Sequence, residues 1–327
     1  MAEIQKSQDV VIIGGGAAGL TAGQYCARAG LTALVVEELG VGGQALVIEG
    51  LENYPGFPEP ISGMEFAEKF EAQARKFGAS FLYASVKSFT KTGSGFSVVT
   101  NKGEFSASAV ILAMGAKHRH LGVPGEKELF GRGVSYCATC DWPFFKDKKI
   151  LVVGGGDAAC DEAQFLSRLT NQVVVIHRRD KFRAQKALAQ RVLANPNIEV
   201  RFNMVMKEIK GMPGMGGKVS AVILAGTEDG KAETLLPEES AEGVFIFTGH
   251  IPQTSLLAGL DGGLKADLDE SGYVITGEKM ETSVPGLFAA GDVRTSPFRQ
   301  IVTAAADGAV AARYASIYID GLKGEAY

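Results

Sequence analysis

Val10-Val11-Ile12-Ile13-Gly14-Gly15-Gly16-Ala17-Ala18-Gly19 is the stretch on which the fold turns. Four β-branched residues in a row fit a strand, because branching at Cβ suits the pleated backbone. The glycines follow at once, and Leu20 to Ala29 continues as an Ala-rich helical pattern. Strand, glycine turn and helix together bring the backbone N–H groups of a helix N-terminus up to a pyrophosphate. Gly14 and Gly16 allow the tight turn and close approach, and Gly19 lets helix pack on strand. Alone the motif is weak. It gains weight because the next strand, Ala33-Leu34-Val35-Val36, delivers Glu37 at the spacing where an acid hydrogen-bonds an unphosphorylated ribose.

The pattern recurs. Lys149-Ile150-Leu151-Val152-Val153 runs into Gly154-Gly155-Gly156-Asp157-Ala158-Ala159, with Asp157 expected to cap a helix that turns Ala163, Leu166 and Leu169 inward. The strand after it, Val173-Val174-Val175-Ile176, ends in His177-Arg178-Arg179, with Arg183 a helical turn further on. An acid would repel a 2′-phosphate, whereas guanidinium groups bind one through charged, often bidentate hydrogen bonds. The first site therefore suits a plain ribose such as that of FAD, and the second suits NADPH. His177 either stacks on adenine or caps the sheet edge.

Between the two turns lies Ser135-Tyr136-Cys137-Ala138-Thr139-Cys140-Asp141. Two thiols separated by two small residues can close a disulfide ring, and such pairs commonly hold one sulfur as a nucleophile near neutral pH. Asp141 is placed to give a proton to a departing thiolate or take one back. The same spacing could be half a zinc site, but His118 and His120 lie upstream without finger-like spacing, so no metal is expected. The two other cysteines, Cys26 and Cys160, sit in Ala-rich helical patterns as small core residues.

With 327 residues the chain can form two domains, and 46% hydrophobic with 21% charged residues is the balance of an ordinary globular protein. A net charge of -4 gives no general attraction to nucleic acid or anionic membranes. The polar N-terminus and the lack of a spanning apolar run point to the cytoplasm. Gly63 to Phe77 reads as an amphipathic helix with Phe66, Phe70, Ala74 and Phe77 on one stripe, followed by a small β meander through residues 81–113. Gly115 to Gly125 reads as a domain boundary with His118 and His120 solvated. Glu199 to Ile209 and Lys218 to Ala225 read as paired strands around a loop, Gly211 to Gly217, and Gly243 to His250 as the return strand. Asp292 closes a late apolar strand where it could bind a cofactor polyol, and Arg299-Gln300 precedes a helix from Ile301 to Ile317.

Both glycine turns, Cys137-Ala138-Thr139-Cys140-Asp141, His177-Arg178-Arg179 and Gly291-Asp292, in that set, resemble the low-molecular-weight, bacterial-type thioredoxin reductases over nearly the whole chain. The resemblance implies an α/β fold of two Rossmann-like, three-layer ββα domains. An FAD domain would comprise residues 1–118 and 249–327, with an NADPH domain inserted at 119–248. It implies a homodimer, thioredoxin or a thioredoxin-like protein as partner, and rotation of the inserted domain on hinges near His118 to Val123 and Phe247 to His250. Gly14, Gly16, Gly19, Glu37, Gln44, Asn53, Asp292 and Gln300 would line the flavin site. Gly156, Asp157, Ala158, His177, Arg178, Arg179 and Arg183 would hold NADPH. Cys140 would face the flavin, Cys137 would attack the partner, and Asp141 would be the general acid. Trp142, Met114 and Asp157 depart from the family's usual Gly, Thr and Asn. Trp142 puts the docking surface beside Phe144 and Phe145 in question, and Asp157 adds a negative charge beside the pyrophosphate. A dithiol oxidase using oxygen would not need the arginines, a redox sensor or metal module would not turn over NADPH, and a ferredoxin-linked flavin reductase would leave the dithiol unexplained.

Overall fold

Strand β1 (Ser7–Ile13) is the centre of the first sheet, and Val10, Val11 and Ile12 are completely buried on both of its faces. In the computed structural model the described residues are 4–48, 50–51, 53–93, 95–212, 214, 217–226, 234–258 and 265–324, without the side chains of Val47, Thr139, Cys140 and Ala258. The chain divides into two units, residues 1–117 with 251–327, and residues 118–250.

The first unit begins β1, α1 (Ala17–Arg28), β2 (Ala33–Glu37), α2 (Gly63–Lys76) and β3 (Ser80–Tyr83). It continues with β4 (Val86–Thr92), β5 (Gly95–Thr100), β6 (Gly103–Leu112) and β7 (Ala116–His118). The sheet order is β3-β2-β1-β6-β5-β4. β1 lies parallel to both β2 and β6, with Val10 opposite Ala33 on one side and Ala109 on the other. The edge of β6 away from β1 is divided. Its first half, through Ala107, pairs antiparallel with β5, and its last residues, Val110 to Leu112, pair parallel with a late strand described below. The meander therefore peels away from the parallel sheet to form a separate layer. Alternation along β1 records this: Val10 and Ile12 face a core with Ala18, Ala22 and Cys26 of α1, while Val11 and Ile13 face Phe89, Phe96 and Val98 of the meander. The expected stripe on α2 ends early, since Phe77 lies beyond the helix, 37% exposed beneath Arg28.

The second unit runs β8 (Val134–Ser135), α3 (Ala138–Asp141), β9 (Ile150–Val153), α4 (Asp157–Leu166), β10 (Val173–His177), α5 (Lys186–Leu193), β11 (Ile198–Phe202), β12 (Met204–Gly211), β13 (Val219–Gly226), β14 (Thr234–Leu235), β15 (Glu239–Ser240) and β16 (Gly243–Ile246). Its parallel sheet has the order β11-β10-β9-β16-β8, and β12 to β15 form a second, antiparallel sheet. The same alternation holds: Ile150 and Val152 face Ala159 and Ala163 of α4, and Leu151 and Val153 face Met206, Val222 and Leu224 of the antiparallel layer. The single strand expected from Glu199 to Ile209 is two strands. Asn203, at φ 53°, turns the chain from one sheet to the other, a left-handed conformation that Asn tolerates better than most residues. Of the loop Gly211 to Gly217, Pro213, Met215 and Gly216 lie outside the described residues, as does Ser94 of the expected Gly93 to Gly95 turn.

The chain returns through β17 (His250–Pro252), which pairs with β7, then α6 (Ser255–Ala258), β18 (Leu287–Ala289) and α7 (Ile301–Lys323). β18 is the late strand on the edge of β6. Gln300 and Thr303 form a reciprocal capping box at the start of α7, satisfying N–H groups that would otherwise lack partners. α7 crosses α1 so closely that a Cβ on Gly308 would stand 2.1 Å from the carbonyl oxygen of Ala18. Among the described residues no helix is long and apolar enough to cross a membrane.

Candidate active site

Around Cys137 the backbone leaves β8 and enters α3, with Cys137 extended at φ -143° just before the helix. Cys137 is disulfide-bonded, while Cys26 and Cys160 are free and buried. Burial pushes the Cys26 thiol up to about 12, with Asp9 adding to it. Burial, then Asp157 and Asp161, push Cys160 up to about 11, so neither is a ready nucleophile. The expected roles of the Cys140 sulfur fall on a side chain outside the described ones. Asp141 is partly buried, and its Oδ2 accepts a 2.6 Å hydrogen bond from Ser135 Oγ. Ser135 also accepts from the N–H of Cys137 at 3.1 Å.

Tyr136, between them, is pinned by Glu126, a carboxylate only 1% exposed. The phenol donates to Glu126 Oε1 at 2.7 Å, and the N–H groups of Leu121 and Gly122 donate to the carboxylate at 2.8 and 2.7 Å. Burial alone would raise the Glu126 pKa, but these three bonds outweigh it and hold it below the usual carboxylate range. His120 Nδ1 stands 2.8 Å from the phenol oxygen, and the His118 ring stacks on Tyr136 at 4.7 Å. The solvated linker expected at His118 is thus corrected. Burial, with His250 and His120 nearby, pushes its pKa down to about 4, so it is neutral at physiological pH. The residues after the dithiol also differ from expectation. Phe145 is buried against Phe245, and Trp142 rests edge-on against Phe165, so only Phe144, 53% exposed, is a surface aromatic.

In the first unit, Gly14 has φ 108° and faces the Ala113 carbonyl, while a Cβ on Gly19 would lie 1.9 Å from the Gly14 carbonyl oxygen. Gly16 precedes α1 and has no atom within 4 Å of where a Cβ would be, leaving space in front of the helix N-terminus. Glu37 ends β2, where its carboxylate accepts from the N–H of Gly15 at 2.7 Å and of Leu39 at 3.1 Å. Gln44 donates to the Ala116 carbonyl at 2.5 Å, and Asn53 donates to the Gln300 side chain at 3.0 Å. Gly291 lies against Ala18 of α1, which brings Asp292 beside the turn. Burial pushes Asp292 up to about 6, with Arg299 opposing and Asp307 adding to the rise. Arg299 lies over the Tyr273 ring at 4.0 Å, and its buried Nε has no hydrogen-bond partner. Space at a helix N-terminus, an acid at the second strand end and a buried orphan donor fit the pyrophosphate and ribitol of a flavin dinucleotide.

In the second unit Gly156, not Asp157, occupies the cap position of α4, and it too has nothing within 4 Å of a Cβ. Asp157, the first residue of α4, instead accepts from the backbone and side-chain N–H groups of Gln185 at 2.8 and 3.3 Å. Those donors compensate the added charge and leave Ala158 beside it in the first turn. His177 is 6% exposed, its ring over Gly155 and near Phe182. Burial, then the positive charges of Arg183, Arg179 and Arg178, hold the His177 pKa down, and the N–H of Arg183 donates to the Gly155 carbonyl at 2.7 Å. The arginines themselves are exposed. An open helix N-terminus flanked by exposed guanidinium groups fits a phosphorylated dinucleotide. Among the described residues no group of three His, Cys, Asp or Glu is placed to hold a metal ion.

Sequence reasoning missed Ser135, Glu126, Tyr136 and Arg299. Arg299, half-buried, carried one signal, its place next to Gln300 at a helix start; Ser135 carried only its nearness to Cys137.

The pyridine nucleotide-disulphide oxidoreductase family model matches residues 8–308. The chain is 50% identical to thioredoxin reductase of Treponema pallidum over 98% of this chain and 100% of that protein. It is 44% identical to thioredoxin reductase of Bacillus subtilis over 98% and 97%. Among solved structures, thioredoxin reductase of Streptococcus pyogenes is similar with a TM-score of 0.86 and 40% identity, covering 97% of this chain and 99% of that one.

Proposed function

This chain belongs to the thioredoxin reductases of the pyridine nucleotide-disulphide oxidoreductase family, and from that membership we propose how its residues divide the reaction. It is an NADPH-dependent flavoprotein that reduces thioredoxin disulfide. In our reading the first unit holds FAD at Gly14, Gly16, Gly19, Glu37, Gln44, Asn53, Asp292 and Gln300. The second holds NADPH at Gly156, Asp157, Ala158, His177, Arg178, Arg179 and Arg183. When bound there, FAD would supply the two-electron chemistry that links the pyridine nucleotide to the dithiol.

The protein's own part is position and proton control. Cys137 and Cys140 form the exchanging pair. Cys137 attacks the partner disulfide, Cys140 then closes the enzyme disulfide, and the partner's two sulfurs leave as thiols. Asp141, held by Ser135, supplies a proton to a departing thiolate. Arg178, Arg179 and Arg183 bind the 2′-phosphate, and the acid Glu37 excludes a phosphate from the other ribose. A disulfide pressed on a flavin cannot also face a protein substrate, so the inserted unit rotates between half-reactions. The reading includes a homodimer working in the cytoplasm.

The observation that supports this most is Cys137 in a disulfide beside a hydrogen-bonded carboxyl, in the same unit as the arginine-flanked turn. The test is coupled reduction of thioredoxin disulfide with NADPH by wild type and Cys137→Ser. The variant is expected to keep NADPH-dependent bleaching of the flavin and to lose partner reduction. Partner reduction at the parental rate would refute the reading.

A further inference from the structure

Ser135 ends β8, paired in register with Phe245 of β16, and is 1% exposed. Its oxygen accepts the Cys137 N–H at 3.1 Å, and its single proton has two acceptors within reach, Asp141 Oδ2 at 2.6 Å and the Cys137 carbonyl at 3.1 Å. We propose that Ser135 is a positioning residue for the proton step at the dithiol, its hydroxyl turning between Asp141 and the Cys137 carbonyl as Asp141 loses and regains a proton. This rests on the reading of Asp141 as proton donor.

The two states can be written out. With Asp141 protonated, its O–H donates to Ser135 Oγ and the serine proton points to the Cys137 carbonyl. When the sulfur–sulfur bond to the partner breaks, the Asp141 O–H turns from Ser135 to the departing sulfur, which keeps the electron pair and takes the proton. Asp141 is left as carboxylate, and the serine proton swings onto Oδ2. A hydroxyl oxygen has two lone pairs, so the Cys137 N–H bond to it persists in both states. No buried donor is stranded in either, and the carboxyl keeps one orientation throughout. The redox balance closes on the partner disulfide, which gains the two electrons that the enzyme dithiol gives up. Alanine would leave the Cys137 N–H without this acceptor and Asp141 without this donor.

The experiment uses flavin-loaded Ser135→Ala, Ser135→Thr, Ser135→Val, Asp141→Asn and the Ser135→Ala/Asp141→Asn double variant, measuring kcat and KM for thioredoxin and the rate of flavin reduction by NADPH. Ser135→Ala is expected to lower kcat at least tenfold, with KM and flavin reduction within about twofold of wild type. In the Asp141→Asn background the same change should cost less than about twofold, because the group it positions is gone. Threonine and valine have nearly the same shape, so Ser135→Thr should exceed Ser135→Val at least tenfold whatever strain both impose. An impaired Asp141→Asn enzyme with an undiminished further loss from Ser135→Ala overturns this inference alone, as do equal rates for threonine and valine. An unimpaired Asp141→Asn enzyme overturns the role of Asp141 and the inference together.

Discussion

The glycine turn at Gly14 to Gly19 and the one at Gly154 to Ala159 open matching strand–turn–helix units, yet they are closed by opposite chemistry. In the first, the Glu37 carboxylate folds back onto the N–H of Gly15. In the second, the His177 ring covers Gly155, and the charges of the exposed Arg183, Arg179 and Arg178 add to burial in lowering its pKa. Packing differs too. Gly19 has no room for a methyl group, whereas Ala159 carries one, fully buried among the residues that pack on β9. On the proposed reading one backbone device serves two nucleotides, and the side chains at the end of its second strand tell them apart.

Interchanging the packing residues gives the largest expected effect. Gly19→Ala drives a methyl group into the Gly14 carbonyl and should cost more than about 3 kcal/mol, with loss of bound flavin. Ala159→Gly should cost roughly 1 kcal/mol, the helix-interior penalty of glycine. Thermal unfolding and flavin absorbance report both, and equal small shifts would show the two turns to be packed alike. Next in size is nucleotide choice. Arg178→Ala should raise KM for NADPH by about 10- to 100-fold, the equivalent of one charged hydrogen-bonded contact, and leave KM for NADH within about twofold. A parallel rise for both nucleotides would remove the phosphate from the explanation.

The effect confined to one pH range concerns Asp292, a carboxyl of the first unit. Its pKa is raised from 3.8 to about 6, so the folded protein holds a proton that the unfolded chain has released between those values. Stability from this group is fully present below the unfolded pKa and is lost as pH rises through the folded one. Asp292→Asn in flavin-free protein should therefore leave stability unchanged near pH 4 and raise it at pH 7.5, by on the order of 2 kcal/mol. A difference of the same size at both pH values would show that ionisation of Asp292 is not its cause.

Much of the fold was legible because it is written in local periodicity. Runs such as Val10 to Ile13 and Ile150 to Val153 announce strands, and the glycines after them announce the turn. Residue type at the strand ends, Glu37 against His177-Arg178-Arg179, is legible for the same reason, since strand length fixes which residue emerges beside the turn. Where one run served two sheets the pattern misled, because alternation continues across Asn203 while the backbone does not.

The sequence by itself determined two strand–turn–helix repeats, the acid and the arginines that distinguish them, a cysteine pair between them and the burial of Cys26 and Cys160. Tertiary structure alone decided that β6 divides one edge between the meander and β18, that Gln185 answers the charge of Asp157, that Glu126 and Tyr136 bind the loop at the dithiol, and that His118 is neutral and stacked. The reason is range: periodicity constrains neighbours a few residues apart, whereas a hydrogen bond between residues 28 positions apart, as from Gln185 to Asp157, exists only once packing has brought its two ends together.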